Sequence, residues 1–148
     1  MPTVPLDAPP PRWPRMLARA LALRCPHCGA RGVLQGWFRL APHCPGCGLR
    51  LERGESDYFL GAYLVNLVVA EFIVVGVLVT VAWLTWPDPP WDAIQWGGIA
   101  AVLGGIVVTY PFSKLTWLAW DLALRPLTPA ELAWHRRGGG EEDDPPQR

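Results

Sequence analysis

The architecture of this chain follows from residues 59–86, FLGAYLVNLVVAEFIVVGVLVTVAWLTW. The segment contains one charged residue, Glu71, and one carboxamide, Asn66. A helix needs roughly 20 apolar residues to cross a hydrocarbon core of about 30 Å, and a lone segment in lipid must be helical to pair its own backbone groups. We therefore predict a first transmembrane helix over residues 57–86, with Asp57 as its N-cap.

A second apolar segment follows after a proline-rich turn without any basic residue, expected over residues 87–92. The second transmembrane helix is predicted over residues 93–118, with Pro111 bending its inner end. All thirteen Lys and Arg residues lie before Phe59 or after Thr109, so the positive-inside rule places both termini in the cytoplasm. The expected fold class is thus a mainly α membrane protein built on a two-helix transmembrane hairpin.

The second predicted helix carries small residues at four-residue intervals, Gly97, Ala101 and Gly105, followed by Thr109. Such a stripe lets another backbone approach closely, which is the usual basis of helix association in lipid. We expect the two helices of the hairpin to pack along it. Packing of the stripe against a second copy or another membrane protein remains an open alternative.

Polar residues inside the predicted hairpin are candidates for a function or for a structural contact. Glu71 lies near the middle of its helix, where a charge costs about 2.5–3.5 kcal/mol on insertion scales. Reflecting the hairpin about its turn places Glu71 level with Thr109, its predicted partner, and Asn66 level with residues 111–113. Glu71 is then either a proton or ion site, a polar anchor for a partner helix, or a hydrogen-bonded structural carboxyl.

The cysteines lie upstream of the hairpin in residues 24–51, RCPHCGARGVLQGWFRLAPHCPGCGLRL. They form two C-P-x-C-G turns, and fifteen residues separate the two cysteine pairs, at the lower edge of the spacing expected for four-cysteine zinc sites. In such a turn two thiolates converge from one side, and the following Gly supplies a positive φ. We predict a zinc ribbon of β-hairpin knuckles over residues 25–53, with tetrahedral ligation by the four thiolates. The predicted ligands are Cys25, Cys28, Cys44 and Cys47.

Iron bound as in rubredoxin uses the same two turns and remains an alternative to zinc, and a redox dithiol is a further alternative. His27 and His43 adjoin the ligands and are expected to be exposed turn residues. A module of this length is too small for a hydrophobic core of its own, so we expect the metal to supply most of its folding energy.

The flanking segments complete the expected organisation. A disordered Pro-rich arm is expected over residues 1–14, and a short helix over residues 15–24. Residues 119–137 are expected to form short C-terminal helices, one of them opened by a capping box from Thr128 to Glu131. Residues 138–148 are expected to be a disordered acidic tail.

The combination resembles the bacterial membrane family catalogued as domain of unknown function 983. The resemblance rests on RCPHCG, GWFRLAPHCPGCGL, ERGESDYFLGAY and the Pro-Phe-Ser-Lys exit, and covers about residues 24–125. It implies a membrane-bound zinc ribbon on a helical hairpin in the bacterial inner membrane. Some members are encoded near respiratory oxidase genes, which suggests a role in assembly of such a complex.

The sequence shows no nucleophile–base set and no phosphate-binding loop, so we expect a non-enzymatic accessory protein. Its expected partners are the lipid bilayer and either another membrane protein or a second copy of the chain. Electron transfer through iron and proton or ion conduction by an oligomer using Glu71 are the alternatives. Nucleic acid is a weaker candidate, because the arginines of the metal module fit membrane topology and anionic headgroups equally well.

Overall fold

The computed structural model describes residue 9, residues 11–53 and residues 58–137, and at 132 and 136 only the backbone is described. This part contains four helices, α1 (Trp13–Leu21), α2 (Leu60–Thr85), α3 (Trp91–Leu124) and α4 (Pro129–Arg136). Between α1 and α2 the described residues form turns and two isolated antiparallel bridges, Leu34–Leu40 and His43–Arg50, without a regular strand. The expected fold class is confirmed: the chain is mainly helical, with two long apolar helices and a cysteine cluster near the N-terminus.

Several helix boundaries differ from the predicted ones. α1 begins at Trp13, within the predicted arm, and has a proline in its first turn. α2 begins at Leu60 after Phe59, and the predicted N-cap Asp57 lies outside the described residues, as do most of the arm and the acidic tail. α3 begins at Trp91, within the predicted turn, and continues without a break through Pro111 to Leu124, so the first of the helical residues expected after 118 belong to the same helix.

α2 and α3 are long and apolar enough to cross a membrane, and their apolar side chains face outward. In the most apolar 18-residue window of α2 no residue is buried, and in that of α3 only 6% are. A core helix of a soluble protein would be mostly buried instead. The 34 residues of α3 extend for about 51 Å, which exceeds a hydrocarbon core of about 30 Å, so its C-terminal part is free to pack elsewhere.

The two long helices pack against each other through one glycine of the predicted stripe, Gly105. A Cβ added to Gly105 would lie 2.4 Å from Cδ1 of Ile73, so α3 approaches α2 closely there. Ala101 is half-buried, whereas an added Cβ at Gly97 would meet no atom within 4 Å. The predicted stripe therefore packs within the hairpin at Gly105, and its Gly97 end faces open space.

Gly61 on α2 lies directly against the indole ring of Trp117 on α3. A Cβ added to Gly61 would lie 2.4 Å from three atoms of that ring. We expect Gly61→Ala to lower the free energy of unfolding by about 1–3 kcal/mol, since the added methyl overpacks this contact. Gly76→Ala is the matched control on the same helix, where a Cβ meets nothing within 4 Å, and it should be neutral or stabilising by up to about 1 kcal/mol. Thermal unfolding followed by circular dichroism in detergent measures both, and equal effects would contradict the contact.

The metal module shares a hydrophobic core with the helices. Val33, Leu49 and Leu51 of the module are fully buried, in one cluster with residues of α1 and of the C-terminal part of α3. The helical members of that cluster are Met16, Ala20, Leu115, Leu118, Ala119 and Leu122. The segment is too short for a core by itself, and α3 continues past residue 118 because its apolar side there covers the module.

Candidate metal centre

Each pair of cysteines lies in a turn closed by the same backbone hydrogen bonds. Gly29 N donates to Cys25 O at 2.8 Å, and Gly48 N donates to Cys44 O at 2.9 Å. Both glycines have positive φ, +82° and +77°, a region that disfavours residues with a Cβ. The sequence pattern C-P-x-C-G thus forms two equivalent knuckles.

The two knuckles bring the four predicted ligands together. All four Sγ atoms lie within 4.8 Å of one another, with Cys25–Cys47 at 3.9 Å and Cys28–Cys44 at 3.5 Å. Tetrahedral zinc with Zn–S bonds near 2.3 Å requires S–S separations of about 3.8 Å, so the arrangement fits such an ion closely. The four cysteines can therefore bind a metal ion, and their geometry suits zinc and iron alike.

Backbone N–H groups donate to two of the sulfurs, and the four thiols shift one another's pKa values. Ala30 N donates to Cys28 Sγ at 3.5 Å, and Gly46 N donates to Cys44 Sγ at 3.4 Å. Thiol hydrogen bonds from the neighbours, Cys25 first, lower the pKa of Cys44. Hydrogen bonds with Cys28 and the other cysteines, followed by burial, raise the pKa of Cys25 well above its usual range. Without a cation the four thiols cannot all ionise in so small a space, whereas a divalent ion would favour the thiolate at each.

The first knuckle is also held by α1, a contact that sequence spacing did not indicate. Arg19 Nη1 donates to the carbonyls of Pro26 and His27 at 3.3 and 2.6 Å. It adds a positive charge beside a site that would carry excess negative charge. His27 is only 4% exposed, so its predicted exposure is wrong, and His43 is half-buried. Neither histidine belongs to the ligand cluster.

A buried ion network joins the end of the metal module to α3 and α4. Arg53, whose side chain is 1% exposed, binds Glu131 through Nε and Nη2 at 2.7 and 2.8 Å. Its Nη1 contacts Asp121 and donates to the carbonyl of Arg125 at 3.0 Å. Burial alone lowers the pKa of Arg53, but the two carboxylates outweigh burial and raise it, so the guanidinium is firmly charged.

Asp121 and Glu131 also accept hydrogen bonds from groups other than Arg53. Tyr58 donates to Asp121 Oδ2 at 3.0 Å, and burial followed by the Asp121 charge raises the pKa of Tyr58, which keeps it a phenol donor. Arg125 Nε donates to Asp121 Oδ1 at 2.6 Å. Two arginines thus face two carboxylates, and the network is close to neutral. Glu131 also completes the predicted capping box with Thr128, which is confirmed.

The intramembrane polar residues do not pair as predicted. Thr109 Oγ1 bonds to Asn66 Oδ1 at 3.2 Å and to Gly105 O at 2.8 Å. Glu71 is exposed, and in the described part of the chain no hydrogen bond or ion pair is formed by it. Reflecting the hairpin about its turn matched the heights of these residues along the two helices to within about one turn. However, Glu71 lies five residues from Asn66, and its side chain is therefore rotated by about 140° around α2. It therefore projects away from α3.

A protein-family model matches residues 34–121, which is more than half of the chain, and its description is "Protein of unknown function (DUF983)". The match begins after the first knuckle and includes the second knuckle, all of α2 and α3 as far as Asp121. No curated protein and no solved structure matches the chain. The sequence motifs and the matched span lead to one conclusion: the chain belongs to the DUF983 family.

Proposed function

We propose that this chain is a non-enzymatic accessory protein of the bacterial inner membrane. In this proposal a zinc-bound cytoplasmic module is held rigidly on a two-helix hairpin and docks to a partner membrane complex. The single observation that carries it is the closed set of four cysteine sulfurs, all within 4.8 Å of one another. Four protein ligands fill a tetrahedral shell and leave no position for water or substrate, which is the arrangement of structural zinc.

The distribution of charge supports the orientation. Lys114 is the first basic residue of α3 and lies close to Phe38 of the metal module, so the module and the basic residues are at the same end of the hairpin. The opposite end, residues 86–90, carries no basic residue. The positive-inside rule then favours a cytoplasmic module, where reduced cysteines persist as metal ligands.

Iron is the second candidate metal and would make the module an electron carrier. The N–H donors of Ala30 and Gly46 point at ligand sulfurs, and such hydrogen bonds tune the potential of iron–thiolate sites. Elemental analysis and visible absorption of the gently solubilised protein distinguish zinc from iron. A colourless protein with one zinc per chain supports the proposal, and a coloured, reducible iron centre would replace it with electron transfer.

Glu71 supports the docking of a partner helix. An exposed carboxyl amid apolar side chains is costly in lipid, and a polar or basic group on another helix would offset that cost. A membrane complex is the partner we favour, and the family resemblance suggests a respiratory oxidase. A second copy is the alternative, and an oligomer of that kind could place several Glu71 carboxyls along one ion pathway.

We expect Glu71→Gln to reduce recovery of the partner severalfold when the tagged protein is purified in mild detergent, because the carboxylate contact is lost. Glu52→Gln is the matched control, since Glu52 is an exposed glutamate of the metal module. Native mass spectrometry of the purified material measures both the bound metal and the attached chains. Unchanged recovery with Glu71→Gln would contradict the docking role, and a pure oligomer with proton uptake into vesicles would favour conduction instead.

A further inference from the structure

The tip of the metal module, Gln35–Arg39, reaches the side of α3. The tip is a tight turn in which Gln35 N donates to Arg39 O at 2.9 Å, beyond the Leu34–Leu40 bridge. Its two aromatic residues, Trp37 and Phe38, are 45% and 55% exposed although both contact α3. The tip therefore presents an apolar surface that the described chain does not cover.

Trp37 satisfies a backbone group that α3 cannot satisfy by itself. Pro111 lies inside α3 and has no N–H, so the carbonyl four residues earlier, at Val107, lacks its usual helical donor. Trp37 Nε1 donates to Val107 O at 2.6 Å. An unpaired carbonyl is costly where water is scarce, so this bond is worth most if the site lies within or at the edge of lipid.

The position along α3 places this contact at the bilayer boundary. About 20 residues of helix cross the hydrocarbon core, and counting from Trp91 that distance ends near Tyr110. Phe38 packs on Tyr110 with ring centroids 5.3 Å apart. Lys114, the first cation on α3, donates to Phe38 O at 3.4 Å and lies 4.8 Å from the Tyr110 ring centre.

We propose that the tip Gln35–Arg39 inserts into the cytoplasmic interface of the bilayer, where Trp37 completes the hydrogen bonding of α3 at Val107. The occupant of its exposed face is phospholipid. Trp37 and Phe38 continue the exposed apolar surface of α3 at Val107 and Val108, and aromatic rings of this kind favour the headgroup level. Lys114 and the exposed Arg39 add the charge that anionic headgroups complement. The inference rests on the membrane anchoring proposed above.

Photo-crosslinking from a matched pair of phenylalanines tests the insertion. Benzoylphenylalanine is placed at Phe38, at Phe72 of α2, which is 75% exposed, or at Arg31, which is exposed beside the knuckles. Each full-length protein is reconstituted in nanodiscs of zwitterionic and anionic phospholipid, and adducts are identified by mass spectrometry. We expect lipid adducts from positions 38 and 72, severalfold above those from position 31.

The crosslinking outcomes distinguish failure of tip insertion from failure of the proposed membrane anchoring. Lipid adducts from position 72 without adducts from position 38 would overturn insertion of the tip alone. A lack of adducts at position 72 would overturn membrane anchoring itself. Adducts from position 38 to a second copy would identify a protein interface and would also overturn the assignment of lipid as the occupant.

The role of Trp37 is tested by tryptic cleavage after Arg39, which requires the tip to leave α3. Trp37→Phe keeps the ring but removes the N–H, and should raise the cleavage rate about tenfold, as expected for loss of one such hydrogen bond. Pro111→Ala gives Val107 a donor within the helix, so adding Trp37→Phe to that background should change the rate little. Equal increases in both backgrounds would refute the capping role, and cleavage after Arg31 controls for global loosening.

Discussion

Replacing Cys44 with serine is expected to abolish metal binding and to unfold the metal module. Apparent binding free energies of structural zinc sites in small peptides are about 10–16 kcal/mol, comparable to the whole stability of a domain. Loss of one of four thiolates removes most of that energy and leaves buried thiols without their cation. Because Leu49 and Leu51 share a core with α1 and the end of α3, these helical segments should loosen too, while α2 stays protected.

Hydrogen–deuterium exchange resolved by segment measures this effect, in the Cys44→Ser variant and after chelation of the natural protein. His43→Gln is the matched control, because His43 precedes the ligand in sequence but lies outside the ligand cluster. It should keep one metal ion per chain. Full protection of residues 25–51 in metal-free Cys44→Ser would show that the shared core, not the metal, holds the module together.

The features that could be predicted from the sequence are those determined by residues close to one another in the chain. Each C-P-x-C-G turn is closed within five residues, so its glycine and its two sulfurs follow from local backbone geometry. The long apolar runs predict α2 and α3 for a similar reason, since length and composition suffice. Matching Thr128 with Glu131 needed only the three-residue spacing of a capping box.

The parts that the sequence did not predict depend on rotation and on distant pairing. Reflection about a turn gives the level of Glu71 but not the direction in which its side chain points, because each residue turns the helix by about 100°. Arg53 and Asp121 are 68 positions apart, and nothing in their local sequence indicates a contact. A positive φ of +49° at Arg53, unusual for a residue with a Cβ, was equally invisible.

Replacing Arg53 with methionine is expected to lower the free energy of unfolding by about 3–5 kcal/mol, the cost of leaving buried carboxylates without their partner. The side chains involved are nearly inaccessible to water, with 1% exposure for Arg53 and 3% for Asp121, so screening by solvent does not reduce the effect. Arg31→Met is the matched control, because Arg31 is exposed on the same module. It should change stability by less than about 0.5 kcal/mol. Chemical unfolding in detergent measures both.

A triple variant shows whether the network supplies stability or specifies how the module docks. Buried ionic groups replaced together by apolar side chains of similar size are often neutral or stabilising by about 1–4 kcal/mol. Arg53→Met combined with Asp121→Leu and Glu131→Met should therefore recover most of the loss from Arg53→Met alone. If the recovered protein also keeps slow hydrogen exchange in residues 25–51, the network is replaceable by packing. If stability returns while that protection does not, the charges hold the module in its one orientation on α3, which the apolar core alone does not determine.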